Sequence, residues 1–138
     1  MSRERFGDAQ DLYGPLAVSH FTEPRNVGAV SDPDGRGSDT NPTCGDRTSI
    51  TVRLEGDRLV EVRFRTFGCV AAIASASLVT ELATGRTMTE ARAITPRHLI
   101  ETLGGLPERK GGCALMAIGA LRAALVDAQV RRKVEGAA

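Results

Sequence analysis

The chain has 138 residues, of which 41% are apolar and 25% charged, a balance typical of one soluble globular domain. Its net charge of +1, with four Phe, one Tyr and no Trp, argues against nucleic acid or an anionic membrane as a partner. The sequence shows no apolar run of the roughly 20 residues that a membrane helix needs and no secretory signal, so we expect a cytoplasmic protein.

The first forty residues predict one helix and little regular structure after it. Residues 1–10 are polar and are expected to form a mobile tail. Apolar residues then recur at helical spacing over 11–22, although Gly14-Pro15 interrupts the first turn. Prolines, glycines and small polar residues dominate 23–41, where only 27–30 could pair as a short strand.

A β-hairpin is the clearest prediction in the chain. Apolar residues alternate with polar ones over 50–54 and again over 60–65, and Glu55-Gly56-Asp57-Arg58 turns the chain between them. The alternation places six apolar residues on one face: Ile50, Val52, Leu54, Val60, Val62 and Phe64. Because the opposite face is charged, the pattern predicts an antiparallel sheet that helices cover on one side only.

Four helices are predicted in the second half of the chain. The first runs over 70–84 and ends at Gly85, a residue suited to a left-handed cap. A capping box that begins at Thr87 opens a short helix, and Thr95-Pro96 opens another that ends near residue 103. The last helix is expected over 113–131. We therefore predict one α+β domain over 11–131, followed by a tail over 132–138.

The three cysteines, Cys44, Cys69 and Cys113, are an odd number in a chain without an export signal, so a disulfide framework is improbable. Each cysteine taken singly is more often a small buried apolar residue than a reactive one. Inert core residues, a nucleophile and metal ligands all remain open. The flanking sequences favour chemistry, because Cys69 and Cys113 each follow glycine at a predicted helix start, where the dipole favours the thiolate.

Cys44 lies in the turn sequence Asn41-Pro42-Thr43-Cys44-Gly45-Asp46, which adds a carboxylate two residues after the thiol. Three thiolates and Asp46 are enough ligands for tetrahedral zinc or for a [2Fe–2S] cluster with one oxygen ligand. A carboxylate oxygen is harder than sulfur, so such a site is expected to hold its cluster loosely. Considered alone, Asp46 is better interpreted as an ordinary turn residue that caps a loop.

Ten short motifs run in order over about 12–128, and in them the chain resembles the NifU/IscU family of iron–sulfur cluster assembly scaffold proteins. The motifs are Tyr13; His20-Phe21; Pro24-Arg25-Asn26-Val27-Gly28; the Cys44 turn; Phe64-Arg65-Thr66-Phe67-Gly68-Cys69; Ala71-Ala72-Ile73-Ala74-Ser75; Thr80-Glu81; Leu103-Gly104-Gly105-Leu106-Pro107; Lys110; and Cys113. Their order and spacing make a chance match an inadequate explanation.

The resemblance implies a small three-stranded antiparallel sheet, packed on one face by about four to five helices. It also implies a scaffold and not an enzyme: the protein accepts sulfur from a cysteine desulfurase, builds a labile [2Fe–2S] cluster with iron, and transfers it to apo iron–sulfur proteins. Zn²⁺ is implied at the same residues. An alternative function is a zinc-binding persulfide acceptor that relays sulfur for the desulfurase, and a third is a diverged member whose site is lost.

The resemblance also assigns site residues. Cys44, Asp46, Cys69 and Cys113 match the family's ligands, and Lys110 matches a lysine near the site. We choose Cys113 as the first sulfur acceptor because the glycines before it should leave it mobile and accessible.

The partners implied include a homo-oligomer and an Hsp70-type chaperone that recognises a segment similar to Leu106-Pro107-Glu108-Arg109-Lys110. Four residues depart from the family pattern: Gly112 for a histidine, Ala114 for a serine, Val70 for a glycine, and Glu108 for a second proline. His20 and His98 belong to other segments and are no obvious substitutes. We expect a usable site with an altered cluster lifetime or metal preference.

Overall fold

The structure is a computed structural model that describes residues 13–43 and 45–137, and every structural statement below concerns those residues. It contains three strands in the order β1-β2-β3, paired antiparallel, and five α-helices. The elements are α1 (Pro15–Thr22), β1 (Gly35–Thr40), β2 (Arg47–Glu55), β3 (Arg58–Phe67), α2 (Val70–Ala83), α3 (Met88–Arg92), α4 (Pro96–Thr102), a 3-10 turn (Glu108–Lys110) and α5 (Gly111–Ala137). The predicted fold class is confirmed.

Strands β2 and β3 form the predicted hairpin, and Gly56 in the turn has a φ of 62°. Ile50 pairs with Phe64, and Val52 pairs with Val62, all four buried under the helices. A register shift between Arg53 and Leu54 then changes which residues face inward.

Because of that shift, Leu54 pairs with Leu59, and Leu59 is fully buried whereas Val60 is only half-buried. The expectation that Val60 belongs to the apolar face was therefore wrong.

The first strand is not where the sequence predicted it. Residues 27–30 contribute only an isolated bridge between Val27 and Phe64, whereas β1 runs over Gly35–Thr40. This strand has no apolar side chain, so hydrophobic alternation could not reveal it.

Glycine explains why β1 lies where it does, because helix α5 packs directly on its backbone. A Cβ atom on Gly35 would lie 2.3 Å from the Ala124 carbonyl oxygen, and one on Gly37 would lie 2.3 Å from the Ala124 amide nitrogen. No residue with a side chain fits there without moving the helix away. Two of the three inward positions of β1 thus have no side chain, and the third, Asp39, faces Gly119 of α5.

The remaining helices follow their predicted signals closely. α2 ends before Gly85, whose φ is 89°, and its Ala and Ser residues are buried along nearly its whole length. Thr87 and Glu90 form the predicted capping box of α3, and the Thr95 hydroxyl caps α4 by accepting from the His98 amide. Gly14 and Pro15 begin α1 instead of interrupting it.

Helix α5 is longer than predicted, since it runs from Gly111 to Ala137. By length and composition alone its segment Gly111–Glu135 could span a membrane, since an 18-residue stretch of it has a mean hydropathy of 1.5, so the expectation of no such run was wrong. Of that stretch, 56% is buried inside the fold, where alanines and leucines of α5 pack on the sheet and on α2. A long apolar helix in the core of a protein has the length and composition of a membrane span without being one.

The domain limits of 11 and 131 stay a prediction.

Candidate metal centre

The centre begins with the loop that joins β1 to β2. The Asn41 amide donates to the Asp46 carbonyl at 2.8 Å, and the Gly45 amide donates to the Asn41 carbonyl at 2.7 Å. Gly45 has a φ of 77°, which favours glycine at this position. The loop thereby places Asp46 directly before β2, at the end of the sheet where β3 also finishes. Cys44, predicted as a ligand, lies outside the described residues.

Cys69 is the N-cap residue of α2, as the sequence predicted. Its backbone amide lies 3.4 Å from Asp46 Oδ2, so the carboxylate lies at the helix N-terminus, where negative charge is favoured. Gly68 permits this approach, since a Cβ there would lie 2.8 Å from Asp46 Oδ2 and 2.7 Å from the Ala72 Cβ. Close packing against Asp46 and Ala72 therefore explains why a glycine precedes Cys69.

Cys113 enters the same space from the first turn of α5. Its Sγ lies 3.8 Å from Cys69 Sγ, although 44 residues separate the two along the chain. One donor atom from each of Asp46, Cys69 and Cys113 lies within 4.8 Å of the other two. Thiolate sulfur and carboxylate oxygen at such separations can share one metal ion or one small cluster. Three of the four predicted ligands are thus brought together.

The two described thiols have unequal surroundings. The side chain of Cys69 is half-buried, whereas Cys113 is only 1% exposed. Burial, reinforced by the neighbouring Cys69 sulfur, raises the pKa of the Cys113 thiol to about 12. The accessibility that favoured Cys113 as first sulfur acceptor is therefore not found in this structure, and its role as acceptor stays a prediction.

Lys110 lies beside Cys69, where the sequence placed it near the site. Its Nζ donates to Cys69 Sγ at 3.5 Å. The negative charge of that sulfur raises the pKa of the Lys110 ammonium group, in spite of the opposing effect of its partial burial. The lysine therefore stays charged and stabilises negative charge on the sulfur.

Two neighbours of the centre were missed from the sequence. Tyr13 is buried and lies close enough to Lys110 to help raise its pKa. The Asn41 side chain faces Gly112, because a Cβ there would lie 3.0 Å from Asn41 Nδ2. Both residues belong to quoted motifs, but nothing in the motifs indicated what they would contact.

The two histidines take no part in the centre. His20 is buried in α1, where its Nδ1 lies 2.7 Å from the Ser77 hydroxyl. His98 is exposed on α4. Leu106 packs on the core, and the 3-10 turn Glu108–Lys110 follows Pro107, so the predicted chaperone segment leads directly into the centre.

The fold and the donor set together define the class: an α+β protein that gathers thiol and carboxylate groups suited to a soft metal. The family model for the NifU-like N terminal domain matches residues 12–135.

The chain is 46% identical over 116 residues to an iron–sulfur cluster assembly scaffold protein IscU of Archaeoglobus fulgidus, covering 84% of this chain and 76% of the relative. It is 36% identical over 127 residues to the Escherichia coli scaffold protein IscU, covering 89% and 98%. This chain belongs to the NifU/IscU family of iron–sulfur cluster assembly scaffold proteins, as predicted.

Solved structures agree with this fold. A putative iron–sulfur cluster assembly scaffold protein for the SUF system from Fervidobacterium islandicum superposes with a TM-score of 0.68 at 20% identity, covering 85% of this chain and 98% of the other. A NifU-like protein (N-terminal) from Brucella abortus gives 0.70 at 15% identity, covering 88% and 96%. At these identities the likeness supports the architecture alone.

Proposed function

We propose that this chain builds a labile [2Fe–2S] cluster as its cargo on Cys44, Asp46, Cys69 and Cys113 and transfers it to apo-proteins. One observation carries the proposal: donor atoms of Asp46, Cys69 and Cys113, from three separate segments of the chain, lie within 4.8 Å of one another. Cys44 joins the set through the sequence, since it stands two residues before Asp46. The named relatives are scaffold proteins, which favours a carrier over a turnover enzyme.

The donor set explains why the cargo should leave readily. Asp46 supplies the one hard ligand, and carboxylate oxygen binds an iron–sulfur core less well than thiolate does. The Asp46 and Cys69 ligand atoms lie on residues that are half-buried, so a recipient protein can approach that side. Zinc also suits this set, and we propose that it occupies the same residues when iron and sulfur are absent.

Sulfur is proposed to arrive from a cysteine desulfurase that carries a persulfide. A scaffold thiolate attacks the outer sulfur of that persulfide, the sulfur–sulfur bond breaks, and the desulfurase thiolate leaves. The step transfers one sulfur without net oxidation. Cys69 is the alternative first acceptor, because its side chain is more exposed than that of Cys113 and its sulfur contacts Lys110.

Mass spectrometry distinguishes the two acceptors. The protein is mixed with a desulfurase and cysteine, quenched early, and mapped for persulfide in wild-type, Cys69→Ala and Cys113→Ala forms. Early persulfide on Cys69 that is still found in Cys113→Ala supports Cys69 as the first acceptor. Persulfide that disappears only in Cys113→Ala supports Cys113, the acceptor chosen from the sequence.

Anaerobic reconstitution tests the proposed cargo. Ferrous iron, sulfide and thiol should generate the visible absorption of a [2Fe–2S] cluster on the wild type. Cys44→Ala, Cys69→Ala and Cys113→Ala should each lose most of that absorption, whereas Glu55→Ala, which removes an exposed carboxylate from the end of β2, should keep it. A protein that binds zinc tightly and forms no cluster under any condition would contradict the proposal.

We propose that the protein acts in the cytoplasm, and that the Leu106–Lys110 segment contacts an Hsp70-type chaperone. The segment adjoins the centre through Lys110, so a bound chaperone would lie next to the cargo. Leu106→Ala should weaken chaperone binding, and unchanged binding would exclude the segment.

We also propose that the protein forms a homo-oligomer. Light scattering of the purified protein with and without cluster would measure its molar mass.

A further inference from the structure

A cleft of about 500 Å³ lies on the face of the sheet that carries no helices. Outward-facing residues of all three strands form its floor, and the chain over 28–33 forms one wall. The wall is held in place, because the Val30 amide donates to the Thr51 hydroxyl at 2.9 Å and the Asp34 amide donates to the Val52 carbonyl at 2.9 Å. The cleft is therefore part of the fold and not a gap beside a loose loop.

Three arginines line this cleft, one from each strand: Arg36, Arg47 and Arg65. In the part of the chain that the structure describes, no carboxylate forms an ion pair with any of them, and no Asp or Glu lines the cleft. Among the described residues, the one hydrogen bond that their guanidinium groups make is from Arg47 to the Ser38 hydroxyl, a long contact of 3.4 Å.

Two other arginines on the same face of the sheet have a carboxylate partner. Arg53 and Arg63 both lie within ion-pair distance of Glu61, at 3.5 and 2.6 Å. Arg53 pairs with Glu61 across strands β2 and β3, and Arg63 pairs with it along β3, so one carboxylate partners both arginines. The cleft keeps three like charges around one concave surface, and that arrangement is favourable when an anion lies between them.

We propose that the cleft binds a small polyanion that carries phosphate or carboxylate groups. The guanidinium group offers paired donors that match both kinds of oxyanion, and the Ser49 hydroxyl on the cleft floor adds a further donor. Phe67, which is 80% exposed at the rim, offers an apolar face to the organic part of such a ligand.

The size and shape of the cleft favour a small molecule over a protein segment. Its volume lies within the usual range for small-molecule sites, which are concave and use a few convergent polar groups. Its position is also informative: Arg47 directly follows Asp46, and Phe67 stands two residues before Cys69. A ligand in the cleft would lie beside the metal centre, but binding there needs no metal and does not depend on the proposed cargo.

Amide chemical shifts measured by NMR during titration test the proposal on the intact chain. Pyrophosphate serves as the phosphate probe and tricarballylate as the carboxylate probe, each in low-salt buffer. We expect saturable shifts confined to the strands that carry Arg36, Arg47 and Arg65. Arg65→Gln and Arg47→Gln should each weaken binding by about tenfold, as expected for the loss of one charged hydrogen bond.

Arg97→Gln is the charge control, since it removes one positive charge from a side chain on α4 that is 87% exposed, pairs with Glu101 and lies outside the cleft. It should leave both affinities unchanged. The proposal is overturned by shifts that do not saturate, by equal weakening in the control, or by hexaglutamate binding more tightly than both probes through the same arginines, which would indicate protein docking. Retained amide dispersion in each variant shows that it is folded. Comparing the two probes identifies which oxyanion the cleft prefers.

Discussion

At the scale of single residues, His20 shows how burial converts a titratable group into a pH-dependent element of stability. Ser77 Oγ accepts from the Arg25 amide at 2.9 Å and lies 2.7 Å from His20 Nδ1. The other ring nitrogen, Nε2, is buried and has no partner among the described residues, so the ring has little to solvate a second proton. Burial, followed by the positive charge of Arg25, lowers the pKa of His20, with Glu81 opposing.

Because the pKa of His20 is lower in the folded state than its ordinary 6.5, the unfolded chain binds the extra proton first. The contribution to stability is full above pH 6.5 and is lost as the pH falls toward the lowered value. Urea unfolding between pH 7.5 and 5 should show stability falling by up to about 1.4 kcal/mol per pH unit.

His20→Gln should remove most of this slope, whereas His98→Gln, at an exposed position, should keep it. Glu61 and Glu90 have pKa values lowered from 4.5, so their contributions are lost only at more acidic pH and do not confuse the comparison. Equal slopes in the wild type and His20→Gln would show that this histidine does not couple folding to pH.

Gly68 gives a second prediction at this scale. Gly68→Ala would place a methyl group 2.8 Å from Asp46 Oδ2 and 2.7 Å from the Ala72 Cβ, so the Asp46 carboxylate and the first turn of α2 must shift. We expect a loss of about 1–3 kcal/mol in the free energy of unfolding, the usual cost of overpacking. Gly111→Ala, where nothing lies within 4 Å, should cost little. Thermal and urea denaturation of the two variants would decide, and equal stability would contradict the steric argument.

At the scale of elements, the sheet and helices differ in how far the sequence predicts them. The β2–β3 hairpin and the starts of α3 and α4 carry local signals, namely alternation and side-chain caps, and these were correct. Strand β1 carries none, because two of its inward positions are glycines that admit the backbone of α5 and the third is the polar Asp39. Such a strand is specified by its packing partner, and no local pattern can reveal it.

Gly37→Ala tests this account of β1. The new Cβ would lie 2.3 Å from the Ala124 amide nitrogen in the rigid backbone of α5, so the helix must move from the sheet. We expect a destabilisation of about 3 kcal/mol, at the upper end for overpacked cores. Ser38→Ala on the outward face of the same strand is the control and should change stability by no more than about 0.5 kcal/mol. A fully stable Gly37→Ala variant would refute close packing here.

At the scale of the whole molecule, the centre exists because one loop and the starts of two helices, distant in sequence, meet at one place. The family resemblance indicated which residues would meet, but the 3.8 Å between two sulfurs depends on how α5 lies on the sheet and against α2. That packing is cooperative and leaves no local trace near Cys69 or Cys113. The burial of Cys113 was missed for the same reason, since Gly111-Gly112 indicated only a flexible approach.

Because the donors belong to different elements, metal binding should stabilise the whole fold. A metal that binds the folded chain alone adds about 2.7 kcal/mol when its free concentration is 100 times its Kd. Zinc should therefore raise the thermal midpoint of the wild type in a concentration-dependent way, and a chelator should reverse the rise. Cys69→Ala should lose most of the effect. An equal rise in Cys69→Ala would place the zinc elsewhere on the molecule.

The central claim is that three thiolates and one carboxylate share one cluster, and Mössbauer spectroscopy of protein reconstituted with ⁵⁷Fe tests it most directly. The two irons would have unequal ligands, since one binds Asp46, so we predict two quadrupole doublets of equal area that converge in Asp46→Cys. A single doublet in the wild type that Asp46→Cys leaves unchanged would contradict the claim.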